Sequence, residues 1–149
     1  MLATSRRRYF KRALLYWLPL VLWIGWIYYL SDQPALPHPG REVGVSDTFF
    51  DYSAHAFTFG VLTWLLWRVL HTKAKGTFSI TKAGLGAAVY AASDEIHQSF
   101  VMGRHARFLD WVADLAGILI FAALLYAWQG QRGDPEKSAA PKEKRGRRF

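Results

Sequence analysis

Residues 109–128, LDWVADLAGILIFAALLYAW, are apolar over nearly their whole length. At about 1.5 Å of rise per residue, a helix of that length crosses the roughly 30 Å hydrocarbon core of a bilayer. In lipid every backbone N–H and C=O must find its partner within the segment, so a run like this has little choice but to be helical. Three further runs precede it: residues 13–30 (ALLYWLPLVLWIGWIYYL), 54–70 (AHAFTFGVLTWLLWRVL) and 82–101 (KAGLGAAVYAASDEIHQSFV), the last weakened on hydropathy by its charges. The pattern predicts an all-α polytopic membrane protein with four transmembrane helices in a bundle over residues 13–128. A basic N-terminus, 1–12, would precede the bundle and a disordered basic tail, 129–149, would follow it.

Local signals refine that outline. Pro19 interrupts the first run, which a membrane helix tolerates when a neighbour satisfies the freed carbonyl. Basic residues before the run also fit a signal peptide, but no small-x-small cleavage site follows YYLSDQPALP, so the reading is an uncleaved helix. The connection 31–46 holds Pro34, Pro37 and Pro39 and should be extended or irregular. Seven Trp and seven Tyr suit membrane interfaces, where a ring has one edge in lipid and one in water. The absence of cysteine excludes a disulfide framework and a thiolate metal site.

The formal net charge of +8 could serve nucleic acid or an anionic lipid surface. Its placement favours lipid: Arg6, Arg7, Arg8, Lys11 and Arg12 stand just before the first run, and Lys142, Lys144, Arg145, Arg147 and Arg148 follow the last. No interleaved aromatic and basic pattern accompanies them, so no nucleic-acid partner is expected. The 68–82 connection is basic as well, whereas the 31–53 connection carries Asp32, Glu42, Asp47 and Asp51 against Arg41 alone. By the positive-inside rule both termini lie in the cytoplasm, in a multi-pass protein of the inner (cytoplasmic) membrane. Arg104 and Arg107, in the short connection before the last run, are the exception and point to a ligand or a carboxylate partner.

That topology gathers the titratable groups at one end, the outer one. Asp51 and His55 are four apart at the start of the second helix, Asp94 and His97 three apart near the end of the third, and Asp110 and Asp114 four apart at the start of the fourth. Residues three and four apart share a helix face. Gln98 shares the general face of Asp94, while Glu95 points about 100° away at 3.6 residues per turn. A charge at the middle of a spanning helix costs about 2.5 to 3.5 kcal/mol on insertion scales, so these groups must pair, bind something or shed their charge. Small residues beside them, Ala87, Ala91 and Gly117, let helices approach closely and indicate stripes packed inward. AFTFG (56–60) and the Trp64/Trp67 pair read as packing and interface anchors, and His38 and His71 as solvated side chains.

Three readings of the cluster stay open from spacing alone. In the first, the arginines pair with the aspartates, the histidines bridge helices, and the cluster only locks a noncatalytic scaffold. In the second, carboxylates and histidines hold a divalent metal, as helix bundles do with i, i+3 and i, i+4 ligands, in a metal-dependent membrane hydrolase. No recognised metal motif supports it. In the third, Arg104 and Arg107 hold an anionic headgroup while His55, Asp94 and His97 move protons. The ligand-binding set is then Asp51, Glu95, Gln98, Arg104, Arg107, Asp110 and Asp114, and the partners are membrane lipids or a lipid-linked envelope precursor. Whether the protein is an enzyme, and whether it carries a cofactor, the spacing leaves open.

The stretch SDEIHQSFVMGRHARFLDWVADLAG (93–117) is similar to the pattern of the VanZ-like family, a group of small bacterial membrane proteins. DYSAHAFTFGVL (51–62) and SDQP (31–34) resemble its earlier segments. The resemblance extends over residues 13–128, with Met102 where proline is common and Tyr52 where a lysine often stands. It implies a four-helix envelope protein linked, through the family's name-giving member, to low-level resistance to the glycopeptide teicoplanin. It implies no reaction. The motif residues it carries over are Asp51, His55, Asp94, Glu95, His97, Gln98, Arg104, Asp110, Asp114 and Gly117.

Overall fold

A computed structural model describes residues 2–34, 47–72, 76–104 and 107–131, with side chains from residue 13 onward and that of Asp47 excepted. The basic side chains before residue 13, His38 with most of the proline-rich connection, and the tail after residue 131 lie outside the described residues. Among the described residues all regular structure is helical: α1 (Leu2–Ser31), α2 (Asp47–His71), α3 (Thr77–Phe100) and α4 (Phe108–Gln131). Each helix is longer than the apolar run that announced it, because helix geometry continues through the polar ends. α1 extends back through the basic N-terminus, α2 begins seven residues earlier than its run, and α4 continues three residues past Trp128.

Two stretches, Ala13–Ser31 and Phe108–Gln131, are long and apolar enough to cross a membrane. α2 and α3 match them in length, at 25 and 24 residues, but their polar residues hold them below that apolarity. The outward surface is oily. Leu14, Leu22, Leu85, Val89, Leu119 and Leu124 all point away from the bundle, the reverse of a helix that buries its apolar stripe and shows water a polar one.

The core runs down the middle of the bundle. Leu20 and Ile27 of α1, Phe59, Leu62 and Leu65 of α2, Ala87 and Ala91 of α3 and Ile118 of α4 form one buried cluster. A smaller one joins Trp67, Ile80, Ala83 and Leu125. Trp67 is thus a core residue, edge-on to Trp128 with centroids 5.7 Å apart, while Trp64 stays exposed. α3 buries one stripe at spacings of three and four, Ser79, Ile80, Ala83, Ala87, Ala91, Asp94 and Gln98. The stripe is small and apolar through the middle and polar at its end. α2, α3 and α4 pack against one another, and the α1 backbone approaches α2 and α3 more closely than α4.

Close approach of α2 and α4 depends on small residues. A Cβ on Gly117 would run into the backbone of Ala56, and one on Gly60 into the ring of Phe121. AFTFG therefore supplies a small-x-x-x-small ridge, Ala56 and Gly60, against Gly117 and Phe121.

Pro19 removes the N–H that would bond the Leu15 carbonyl, and Arg68 of α2 takes its place, with Nη2 3.4 Å from that oxygen. The Arg68 guanidinium also lies 4.9 Å from the Trp64 ring centroid and 5.4 Å from that of Tyr16. His71, expected to be solvated, is half-buried instead. Its Nδ1 is 3.4 Å from Ser79 Oγ and its ring 4.9 Å from Trp67, because the last turn of α2 meets the first turn of α3.

Candidate functional site

The end of α1, the start of α2, the end of α3 and the start of α4 enclose a cavity of about 350 Å³. His55, Asp94 and Asp110, from three helices, all line it, together with Asp51, Gln98, Arg104 and Arg107. Ile27, Leu30, Phe50 and Phe59 supply an apolar wall. The end of α1 adds a fourth wall through Ile27, Leu30 and Ser31.

Its polar groups form two sets. In the first, Ser31 Oγ donates to Asp94 Oδ1 at 2.5 Å, and Gln98 Nε2 donates to Asp94 Oδ2 at 2.9 Å. Gln98 Nε2 also reaches Ser31 Oγ at 3.3 Å. All three residues are buried, and both Asp94 oxygens are engaged. Ser31 was not among the residues singled out as the site; the one signal for it was its place at the head of SDQP.

In the second set, His55 Nδ1 lies 2.9 Å from Asp114 Oδ1. Asp114 is 0% exposed. In the tautomer whose Nδ1–H donates to Asp114, Nε2 keeps its lone pair, the orientation in which a carboxylate makes imidazole a proton acceptor. Glu95, one residue beyond Asp94 and turned away from it, faces this pair: donor atoms of His55, Glu95 and Asp114 all lie within 4.8 Å of one another. The angular offset read from sequence did not remove Glu95 from the site; it assigned Glu95 to the other half. Asp110 sits one turn before Asp114 and is buried.

Several of these oxygens lack partners. Asp114 Oδ2, Asp110 Oδ1 and Glu95 Oε1 are buried without a hydrogen bond, and each such group costs about 1 to 3 kcal/mol when nothing satisfies it. Natural folds keep few of these, and where they occur a catalytic role, an ordered water or an ion is the usual reason.

The arginines divide the work differently than expected. Arg104 Nη2 donates to the Leu30 carbonyl at 2.7 Å and Nε to the Gln33 carbonyl at 3.0 Å, so it closes the C-terminal end of α1, whose last carbonyls have no intrahelical partner. Gly103 makes this reach feasible: its φ of +83° lies in the region that favours glycine. Arg107 is exposed and lines the cavity. His97 is placed apart from the chamber. Its ring stacks on Tyr28 at 4.9 Å and Nε2 lies 3.5 Å from Asp32 Oδ1, an ion-pair distance without hydrogen-bond geometry.

Fold and site together define a class: a helical bundle with an apolar outer surface, membrane-length helices and an ionisable cavity confined to one end. Within that class the affiliation is direct. The sequence model of the VanZ/LLP1 family matches residues 14–129, and the chain belongs to that family. It is also 36% identical over 97 residues to a curated protein described as "Uncharacterized membrane protein YwnJ" from Bacillus subtilis (strain 168), an alignment covering 59% of this chain and 64% of the relative. The chain thus spans slightly less than two thirds of that relative's length. No solved structure gives a significant match.

Proposed function

We propose that this protein crosses the bacterial inner membrane four times, with both termini in the cytoplasm and its polar cavity opening to the outer side. There it binds an anionic, phosphate-bearing lipid headgroup or lipid-linked glycan precursor of the cell envelope. The observation that carries this reading is the mixed lining of the cavity. An exposed arginine, Arg107, stands beside an imidazole and apolar residues of α1 and α2, which suits a ligand with a charged head and an oily body. The His55–Asp114 pair supplies a base at the same place, so modification of the bound headgroup belongs to the same reading. The teicoplanin-resistance link implied by the family resemblance fits a protein that handles an envelope precursor.

Lipids that co-purify with the protein, identified by mass spectrometry in the presence of a chelator, test the reading. Anionic phospholipid or prenyl-phosphate species should be enriched with the native chain and depleted at least tenfold with Arg107→Ala, at unchanged protein yield. Identical lipid profiles for the two proteins would overturn it. The scaffold reading draws its support from Arg104, whose guanidinium bonds the backbone carbonyls of Leu30 and Gln33 at and just past the end of α1.

A further inference from the structure

We infer that His55, Glu95 and Asp114 form a binding site for one divalent cation. The inference goes beyond the headgroup reading and does not depend on it; with the cation bound, His55 is its ligand rather than a free base. One imidazole nitrogen and two carboxylate oxygens, from three different helices, lie within 4.8 Å of one another. Ligands on one ion at about 2.1 Å stand at most about 4.2 Å apart, so the set is a small side-chain adjustment from closure. The 2.9 Å between His55 Nδ1 and Asp114 Oδ1 is close to the roughly 3.0 Å between neighbouring ligands of a six-coordinate ion with bonds of about 2.1 Å. A cation could therefore replace the hydrogen-bond proton with almost no movement of either group.

A second observation points the same way. Asp114, wholly buried, leaves Oδ2 without a partner, and Oε1 of Glu95 and Oδ1 of Asp110 are buried and unpartnered beside it. Among the described residues no lysine or arginine forms an ion pair with Asp110 or Asp114. The same burial without such donors is absent at Asp94, whose oxygens are taken by Ser31 and Gln98; the excess acceptor capacity is confined to the His55 set. A mixed imidazole and carboxylate donor set suits Zn²⁺ or Mn²⁺. Three protein ligands leave an ion at least one open position, and of the three ligands His55 lines the cavity.

The test uses the full chain purified in detergent and stripped with chelator, titrated with Zn²⁺ and with Mn²⁺ by calorimetry, with bound metal counted by elemental analysis after gel filtration. One ion per chain should bind, and the ion should raise the thermal midpoint. Glu95→Gln keeps the side chain's size and removes its charge, and should weaken binding at least tenfold and abolish that rise. Asp32→Asn, an exposed carboxylate at the same end of the bundle, should titrate like the native chain. Failure of the native chain to bind either ion, native-like binding by Glu95→Gln, or loss of binding in Asp32→Asn would each overturn the site. Because the lipid measurement is made in chelator, a negative result in one experiment leaves the other standing.

Discussion

At the scale of single residues, the buried pair of His55 and Asp114 carries the largest local consequence. With Asp114 fully enclosed, removing the imidazole leaves a carboxylate with no described partner, and losing one member of a buried pair costs about 3 to 5 kcal/mol. His55→Ala should therefore lower the thermal midpoint in detergent sharply, while adding Asp114→Ala to it should restore part of the loss. A double variant no more stable than His55→Ala alone would show that the pair is not coupled. Arg104 makes a different prediction, because its two bonds fasten the end of α1 to the α3–α4 turn. Arg104→Ala should cost about 1 to 3 kcal/mol and speed amide exchange around residues 28–33, with α4 unaffected. Uniform exchange changes across all four helices would contradict a local clamp.

Among elements, the contact between α2 and α4 sets the site's geometry, since Ala56 adjoins His55 and Gly117 follows Asp114 by one turn. A methyl group on Gly117 collides with the Ala56 backbone, which cannot rotate away, whereas one on Gly25 meets nothing within 4 Å. Gly117→Ala should thus cost about 1 to 3 kcal/mol, the usual penalty of overpacking, and separate His55 from Asp114; Gly25→Ala should be neutral or better, as alanine in a helix usually is. Equal unfolding midpoints for the two variants would remove the close-packing account. Much of this was legible in the sequence. Apolar runs gave the four helices, and spacings of three and four put Asp94 with Gln98 and Asp110 with Asp114 on shared stripes. Spacing could not show which partner each stripe faces, because that depends on how the helices are arranged around one another. Hence spacing gives no signal that Ser31 bonds Asp94, it places His97 beside a cavity that His97 does not line, and it does not reveal that Arg104, which lines the cavity, also caps α1. Helix ends were also underestimated, since the polar turns of α1 and α2 contribute no hydropathy signal yet continue the same backbone ladder.

For the whole molecule, the arrangement is polarised: every carboxylate of the cavity lies at the end shared by the α3–α4 turn, while Arg68 and His71 mark the opposite end. An ionisable cluster is least costly in a membrane protein where it opens to water at one face, so which face it opens to decides what it can meet. The proposed orientation rests on the excess of lysine and arginine in the 68–82 connection and at both termini, which under the positive-inside rule favours the cytoplasm for that opposite end and the exterior for the cavity. The chain has no cysteine, which makes a direct test clean. Met102, in the α3–α4 turn and 91% exposed, can be changed to cysteine without touching the core, and so can Gly130, near the end of α4, where an added Cβ meets nothing. A membrane-impermeant maleimide applied to intact cells should label Met102→Cys at once and Gly130→Cys only after permeabilisation. The reverse pattern would turn the cavity towards the cytoplasm and exclude an outer-leaflet ligand, and labelling of both from outside would contradict the single crossing by α4 that separates them.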